Sequence, residues 1–363
     1  MQNDIQISAQ PVQFTGTGPA YFRIWIVNVF LMLLTLGIYS AWAKVRSKRY
    51  FYGNTRIDES GFQYLAEPVD ILKGRAIAVL ILLVYITLTY YWPLADFLFS
   101  LLFLVAIPWL AYKSLQFNHR NSAYRNISFQ FTGALGEAVQ VYIAWPLLGV
   151  LTFGILWPVA VHRRKQYVFN NTSFGGQRVE SGVTGAQFYP PYLLALLVFL
   201  AILFLGLAVL GSGLENLGAL FSVDINEDED VYRLNLPVLL NGVFLFSIIA
   251  PVFLAVVAAR AIITAGINNR IWNNLALDGH RFTSNLNPLA LVWIYLSNTL
   301  LVVCTLGLAS PWAMVRLARY RATHLTMQVT GDLDGFVGAL TTSRKATGQE
   351  VGDVLDAGVD FGF

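Results

Sequence analysis

The chain has 363 residues, of which 56% are hydrophobic and 12% charged, with a formal charge of +3. A soluble domain carries about 25% charged residues, so half of the usual solvating charge is missing, and the mean hydropathy of +0.57 excludes an ordinary soluble domain. Basic residues flank apolar segments instead of forming one patch, which argues against a nucleic-acid partner, and one cysteine (Cys304) with four scattered histidines offers no disulfide and no metal-ligand spacing.

Residues 1–20 are polar, contain no Lys or Arg and so lack the positive region of a secretory signal. A first apolar segment at roughly 22–43 ends in Ser40-Ala41-Trp42-Ala43, and Lys44, Arg46, Lys48 and Arg49 follow at once. That basic run resists translocation, so the segment is expected to be retained. Further apolar segments lie at roughly 76–95, 97–113, 138–161, 190–211, 237–259 and 289–313, none with a charged residue in its interior. Each approaches the 17–25 residues that reach across a bilayer. Segments 76–95 and 97–113 form a tight hairpin past Trp92-Pro93, and 190–211 and 237–259 form a second around an acidic loop at Asp224–Asp230. The membrane pattern stops after about 327; Thr347 and Glu350 fit a capping box for a short helix in an otherwise Gly- and Asp-rich tail.

A hydrophobic-then-basic motif recurs. It reads Thr35-Leu36-Gly37-Ile38-Tyr39 before Arg46 and Tyr50, Thr152-Phe153-Gly154-Ile155-Leu156 before Arg163 and Tyr167, and Thr305-Leu306-Gly307-Leu308-Ala309 before Arg316 and Tyr320. Stretches such as Tyr50–Thr55, Tyr124–Phe129, Tyr167–Thr172 and Trp272–Gly279 mix aromatic, β-branched and Asn/Gly residues and suit short strands and turns. These features predict an all-α polytopic membrane protein with internal repeats and short β-strand segments at the cytoplasmic surface. Its organisation reads as a polar segment at 1–20, a first repeat unit at 21–136, a second at 137–287, a third, partial repeat at 288–327 and a tail at 328–363.

The run from Thr35 to Thr55, Thr-Leu-Gly-Ile-Tyr-Ser-Ala-Trp-Ala-Lys-Val-Arg-Ser-Lys-Arg-Tyr-Phe-Tyr-Gly-Asn-Thr, resembles the signature of the YjgN-like family of bacterial inner-membrane proteins, a domain-of-unknown-function family. The resemblance covers most of residues 10–330. It implies a multi-pass protein of the bacterial inner membrane and brings no substrate, cofactor or catalytic residue.

Positive-inside reasoning leaves two topologies open. Seven plain crossings would put some basic clusters outside, against the usual bias. If every cluster is cytoplasmic, the three repeated segments re-enter the side they left, broken near Gly37, Gly154 and Gly307, with Pro158 and Pro311 following in the second and third copies.

Two sets of residues are candidates for a site. Lys44, Arg46, Lys48, Arg49, Arg163, Arg164, Lys165, Arg316 and Arg319 are candidates for anionic headgroups or another anion, and read more economically as topology signals in an aromatic belt. Asn28, Asn298, Thr35, Thr152 and Thr305 are candidates for a polar intramembrane cavity, and read more economically as hydrogen-bonding glue between helices. No nucleophile–base pair, buried carboxylate or phosphate-cradling loop stands out. The chain is therefore expected to be no enzyme, to need no cofactor or metal, and to have membrane lipids as its partners. A passive or weakly coupled transporter or channel is one reading of its function; a structural or anionic-lipid-interacting protein is the other.

Overall fold

The computed structural model describes residues 7–220 and 236–331, together with Gly335, Gly338 and Leu340. The acidic loop and the capping box of the tail lie outside the described residues. Two compact units divide the chain: Met1–Phe188 with Asn268–Asn285 and Leu301–Phe363, and Tyr189–Ile267 with Leu286–Leu300.

The first unit is organised by one antiparallel sheet. Its strands are β1 (Ile7–Pro11), β2 (Gln13–Phe14), β3 (Thr55–Ile57), β4 (Ser60–Tyr64), β5 (Ser122–Tyr124), β6 (Ile127–Phe131), β7 (Thr172–Phe174), β8 (Gln177–Ser181), β9 (Leu275–Leu277), β10 (His280–Ser284) and β11 (Leu325–Thr330). Neighbours run in the order β1-β11-β10-β9-β8-β7-β6-β5-β4-β3-β2. Because β1 and β2 are joined through Val12, whose N–H donates to Leu325 O at 2.9 Å, they act as one strand that pairs β11 at one end and β3 at the other. The sheet thus returns on itself as a nearly closed barrel.

Local chemistry sets the hairpins. Asp58-Glu59, Arg125-Asn126, Gly175-Gly176 and Asp278-Gly279 each join two strands with both residues at positive φ. That is the type I′ turn, whose twist matches that of paired strands. Arg125 also reaches the neighbouring hairpin, donating to Asp58 Oδ2 at 2.8 Å and Ser60 Oγ at 3.1 Å. At the other end of each first strand an Asn closes the incoming helix: Asn54, Asn121, Asn171 and Asn274 donate to the carbonyl four residues earlier at 2.8–2.9 Å. His324 Nδ1 occupies the same place before β11, 2.8 Å from Tyr320 O.

Helices alternate with the strands. They are α1 (Gly18–Leu34), α2 (Ser40–Asn54), α3 (Pro68–Tyr91), α4 (Pro93–Arg120), α5 (Leu135–Val139), α6 (Trp145–Leu151) joined to α5 by a π-helical turn, α7 (Trp157–Asn170), α8 (Tyr189–Leu220), α9 (Leu236–Asn273), α10 (Pro288–Cys304) and α11 (Ser310–Thr323). Among the described residues four helices are long and apolar enough to cross a membrane, at 68–91, 94–120, 185–210 and 247–273. The apolar helices at 18–34, 135–151 and 288–304 are shorter.

α1 and α2 fold back on each other: Tyr21 stacks on Tyr50 with ring centroids 5.1 Å apart, and Asn28 Nδ2 donates to Ala43 O at 3.5 Å. α6 and α7 do the same, bringing Gly149 so near that an added Cβ would lie 2.9 Å from the Trp157 ring. Both turns, and the one between α10 and α11, share one geometry. Leu36-Gly37, Phe153-Gly154 and Leu306-Gly307 take positive φ, and each glycine N–H donates to the carbonyl five residues back at 2.8 Å. Thr35, Thr152 and Thr305 donate to the carbonyl four residues back at 2.7 Å and accept an N–H from four residues ahead at 2.9–3.1 Å. The tips leave their chain reversal internally bonded, as a backbone surrounded by hydrocarbon requires.

In the second unit, α8 and α9 approach closely where an added Cβ at Gly206 would lie 2.6 Å from Pro251, and Arg260 lies over the Tyr295 ring at 5.7 Å. α9 buries the small residues Ala255, Ala258, Ala261 and Ala265 on one stripe, the composition that lets membrane helices pack closely.

The expectation of an all-α fold is overturned by the eleven-stranded sheet. Each strand is only two to six residues long, too short for alternation to stand out, and residues 50–54, expected as strand, complete α2 instead. The strands become stable only collectively, each hairpin borrowing a partner from the next.

Candidate functional site

Register decides what faces the barrel interior. Between neighbouring hairpins Phe62 pairs with Tyr124, Phe129 with Phe174, Val179 with Leu277 and Phe282 with Met327. All eight line one cavity, and Val12 with Ile57 complete the belt at the closing strand. Several rings touch: Phe62–Tyr124 centroids are 5.0 Å apart and Phe129–Phe174 4.9 Å. Eight strands make a barrel that side chains just fill; this wider one encloses a cavity of about 510 Å³. The Tyr124 hydroxyl donates to Ile57 O at 2.8 Å, so its polar end is satisfied by the wall.

Polar groups gather at one rim, where helices feed the first strands. Tyr52, His119, Phe169 and Trp272 stand three residues before β3, β5, β7 and β9, and all line the cavity. Asn118 lines it too, as do Thr55, Ser122 and Thr172 at the strand starts. His119 Nδ1 is 2.7 Å from Leu115 O and Nε2 is 3.0 Å from Thr172 Oγ1. A carbonyl at Nδ1 demands a proton there, and Thr172 Oγ1, which also donates to Val168 O at 2.6 Å, closes the ring's other side. Tyr52 and Ser122 share a hydrogen bond of 3.2 Å.

One predicted cation belongs to this rim. Lys48 Nζ donates to Asn118 Oδ1 at 2.6 Å and to the Tyr64 hydroxyl at 3.3 Å, and lies 4.5 Å from the Tyr64 ring centroid. Burial, helped by the charge of Lys44, lowers its pKa to about 8, while burial raises Tyr64 to about 12. Lys44 is lowered as well, by burial and then by Arg75, which donates to the Ser40 hydroxyl.

The other basic candidates lie at the feet of the short hairpins and are not brought into the cavity. Arg46 donates to the Tyr39 hydroxyl at 2.8 Å and Asn28 Oδ1 at 3.5 Å. Arg49 donates to Tyr64 O at 3.3 Å and Ala66 O at 3.1 Å, and Arg319 donates to Gly16 O at 2.8 Å, so both hold the linker leaving a barrel strand. His162 holds the linker after β8 through Val183 O at 2.9 Å. Arg163 lies over the Trp145 ring at 5.3 Å. Lys165 is lowered by burial and by neighbouring Arg164, and Arg316 lies on α11. Asn28, Thr35, Thr152 and Thr305 spend their polar atoms on the hairpin bonds described above; Asn298 lies on α10.

The cavity residues escaped the sequence reading, although a signal existed. Gly61-Phe62-Gln63-Tyr64 and Ser128-Phe129-Gln130-Phe131 carry the same alternation after the same kind of turn.

Compared with known proteins, residues 9–354 match the family model described as bacterial protein of unknown function (DUF898). The chain is 27% identical over 388 residues to the inner membrane protein YjgN of Salmonella typhimurium, covering 92% of this chain and 91% of that protein. It is 24% identical over 377 residues to the inner membrane protein YjgN of Escherichia coli (strain K12), with the same shares covered. No solved structure matches. With four helices able to span a bilayer, this chain belongs to the DUF898 family and is a multi-pass protein of the bacterial inner membrane.

Proposed function

We propose that this protein is a non-enzymatic, lipid-interacting component of the inner membrane, with its barrel at the cytoplasmic surface and its three short hairpins dipping into one leaflet. The shared tip geometry carries the reading. Leu36, Phe153 and Leu306 are 95%, 99% and 95% exposed, yet the backbone beneath them is hydrogen-bonded internally. Exposed apolar tips of that kind suit hydrocarbon as solvent. Depth follows from the basic feet. Ser40 to Lys44 spans about 6 Å of helix, and Trp157 to Arg163 or Ser310 to Arg316 about 9 Å. Half of a ~30 Å hydrocarbon core is about 15 Å, so these hairpins reach into one leaflet and return. Their feet then present cations at headgroup level. The recurrence of tip, foot and β-hairpin supports internal repetition of one ancestral unit.

The transporter reading draws less support. The intramembrane Asn28 and the three tip threonines are engaged in local bonds, and the described cavity lies in the barrel. Thermal unfolding of the purified protein separates the two. Phosphatidylglycerol or cardiolipin should raise Tm above phosphatidylcholine, and soluble metabolites should not. Stabilisation by a soluble solute without an effect of anionic lipid would replace this proposal with transport.

A further inference from the structure

We infer that the barrel interior is a binding site for one acyl chain of a single-chain anionic lipid, its head held at the helix-side rim by Lys48. The inference deepens the lipid-interacting reading and rests on it for the source of ligand; the cavity itself is a separate observation. Three features point to an amphiphile. The interior is walled by aromatic and aliphatic side chains from Phe62, Phe129, Phe174, Val179, Leu277 and Phe282. About 510 Å³ lies within the range of pockets that enclose a small ligand. Polarity is segregated: Asn118, His119, Ser122, Thr55 and Thr172 all stand at the rim, and among the described residues no carboxylate lines the cavity.

The rim also selects the sign of the head. Lys48 is one 2.6 Å hydrogen bond from the wall residue Asn118 and stacks on Tyr64. Among the described residues this ammonium has no carboxylate within ion-pair distance, and a carboxylate or phosphate head would supply an anionic partner. Fatty acids and lysophospholipids share this chemistry of one chain and one anionic head.

The test uses the full chain in phosphatidylcholine nanodiscs with two probes, myristic acid and myristoyl lysophosphatidylglycerol, each with a diazirine at the chain end. Crosslinks should map to peptides carrying Phe129, Phe174 or Leu277. Chain-length variants should compete with affinity rising about threefold to fourfold per methylene until the cavity is full. Val179→Trp, which fills the interior, should lower barrel crosslinking at least tenfold, whereas Leu197→Trp, on an exposed position of α8, should not. Should Val179→Trp fail to fold, Leu277→Phe serves as the milder filler. Whichever probe is retained more strongly identifies the source, and Lys48→Gln should weaken both. Crosslinks confined to the outer helical surfaces, or barrel crosslinks indifferent to the fillers, would overturn the inference. Barrel crosslinking that persists in a protein showing no anionic-lipid stabilisation would instead sink the hairpin reading alone.

Discussion

The α1–α2 and α3–α4 hairpins both leave and rejoin the same barrel, yet their far ends differ. The long pair turns at Tyr90, Tyr91 and Trp92, all exposed, with Asp96 accepting from the Tyr85 hydroxyl at 2.7 Å. Aromatic rings beside a carboxylate are what a membrane–water interface favours. The short pair turns at Leu33, Leu34, Leu36 and Ile38, all exposed, while the hydroxyl of Thr35 in the turn is spent on its own backbone. With 24 and 28 residues, α3 and α4 are about 36 and 42 Å long, enough to cross. Under the proposed topology, a helical hairpin's destination is written in its turn: side chains at an interface, backbone self-sufficiency in hydrocarbon.

The largest effect should come from accessibility. In a Cys304→Ala background, cysteines at 48 and 92 should react with a membrane-impermeant reagent from opposite sides, and one at 36 from neither. Labelling of 48 and 92 from one face would collapse the distinction. Next, a charge at the short tip should be poorly tolerated: Leu36→Lys should cost about 2.5–3.5 kcal/mol on insertion scales, seen as lost membrane-fraction protein, whereas Trp92→Lys should accumulate normally. Removing the bridging hydroxyl is subtler. Thr152→Val strands the Leu156 N–H, and should cost about 1–3 kcal/mol, read as a lower Tm, while Thr87→Val on α3, whose hydroxyl only donates to Leu83 O, should change Tm less.

The smallest effect concerns pH. Lys48 titrates near 8 in the folded protein against an ordinary 10.5. Between those values the unfolded chain binds more protons, so stability rises with pH across this window. Tyr64, raised from 10 to about 12, acts oppositely above 10, where the unfolded chain loses its proton first. Tm in detergent should therefore climb from pH 8 towards 10 and then fall, and Lys48→Met should flatten the climb.

The turn chemistry that separates the hairpins was legible in the sequence. Thr35-Leu36-Gly37 and its two echoes marked breaks, and the apolar runs marked the long helices. The barrel was not legible, because its register joins residues far apart: Ile7 pairs with Thr330 and Phe129 with Phe174. No local period announces that Phe62, Phe174 and Phe282 share one interior. For the same reason Lys48 read as a topology signal, its tie to Asn118 spanning 70 residues.

The closing strand also constrains how this protein is made. Residues 7–11 wait without their partner while four β-hairpins and their helices are synthesised, because β11 is the last of the described strands to emerge, whereas Gln13–Phe14 can pair β3 early. Non-local pairings of this kind form slowly, and open strand edges recruit other chains. A ribosome stalled before residue 325 would leave an open sheet with its apolar lining uncovered at the membrane surface. Quality control of this protein should therefore act on nascent chains, and pulse-labelled truncations ending before β11 should be degraded much faster than the full chain.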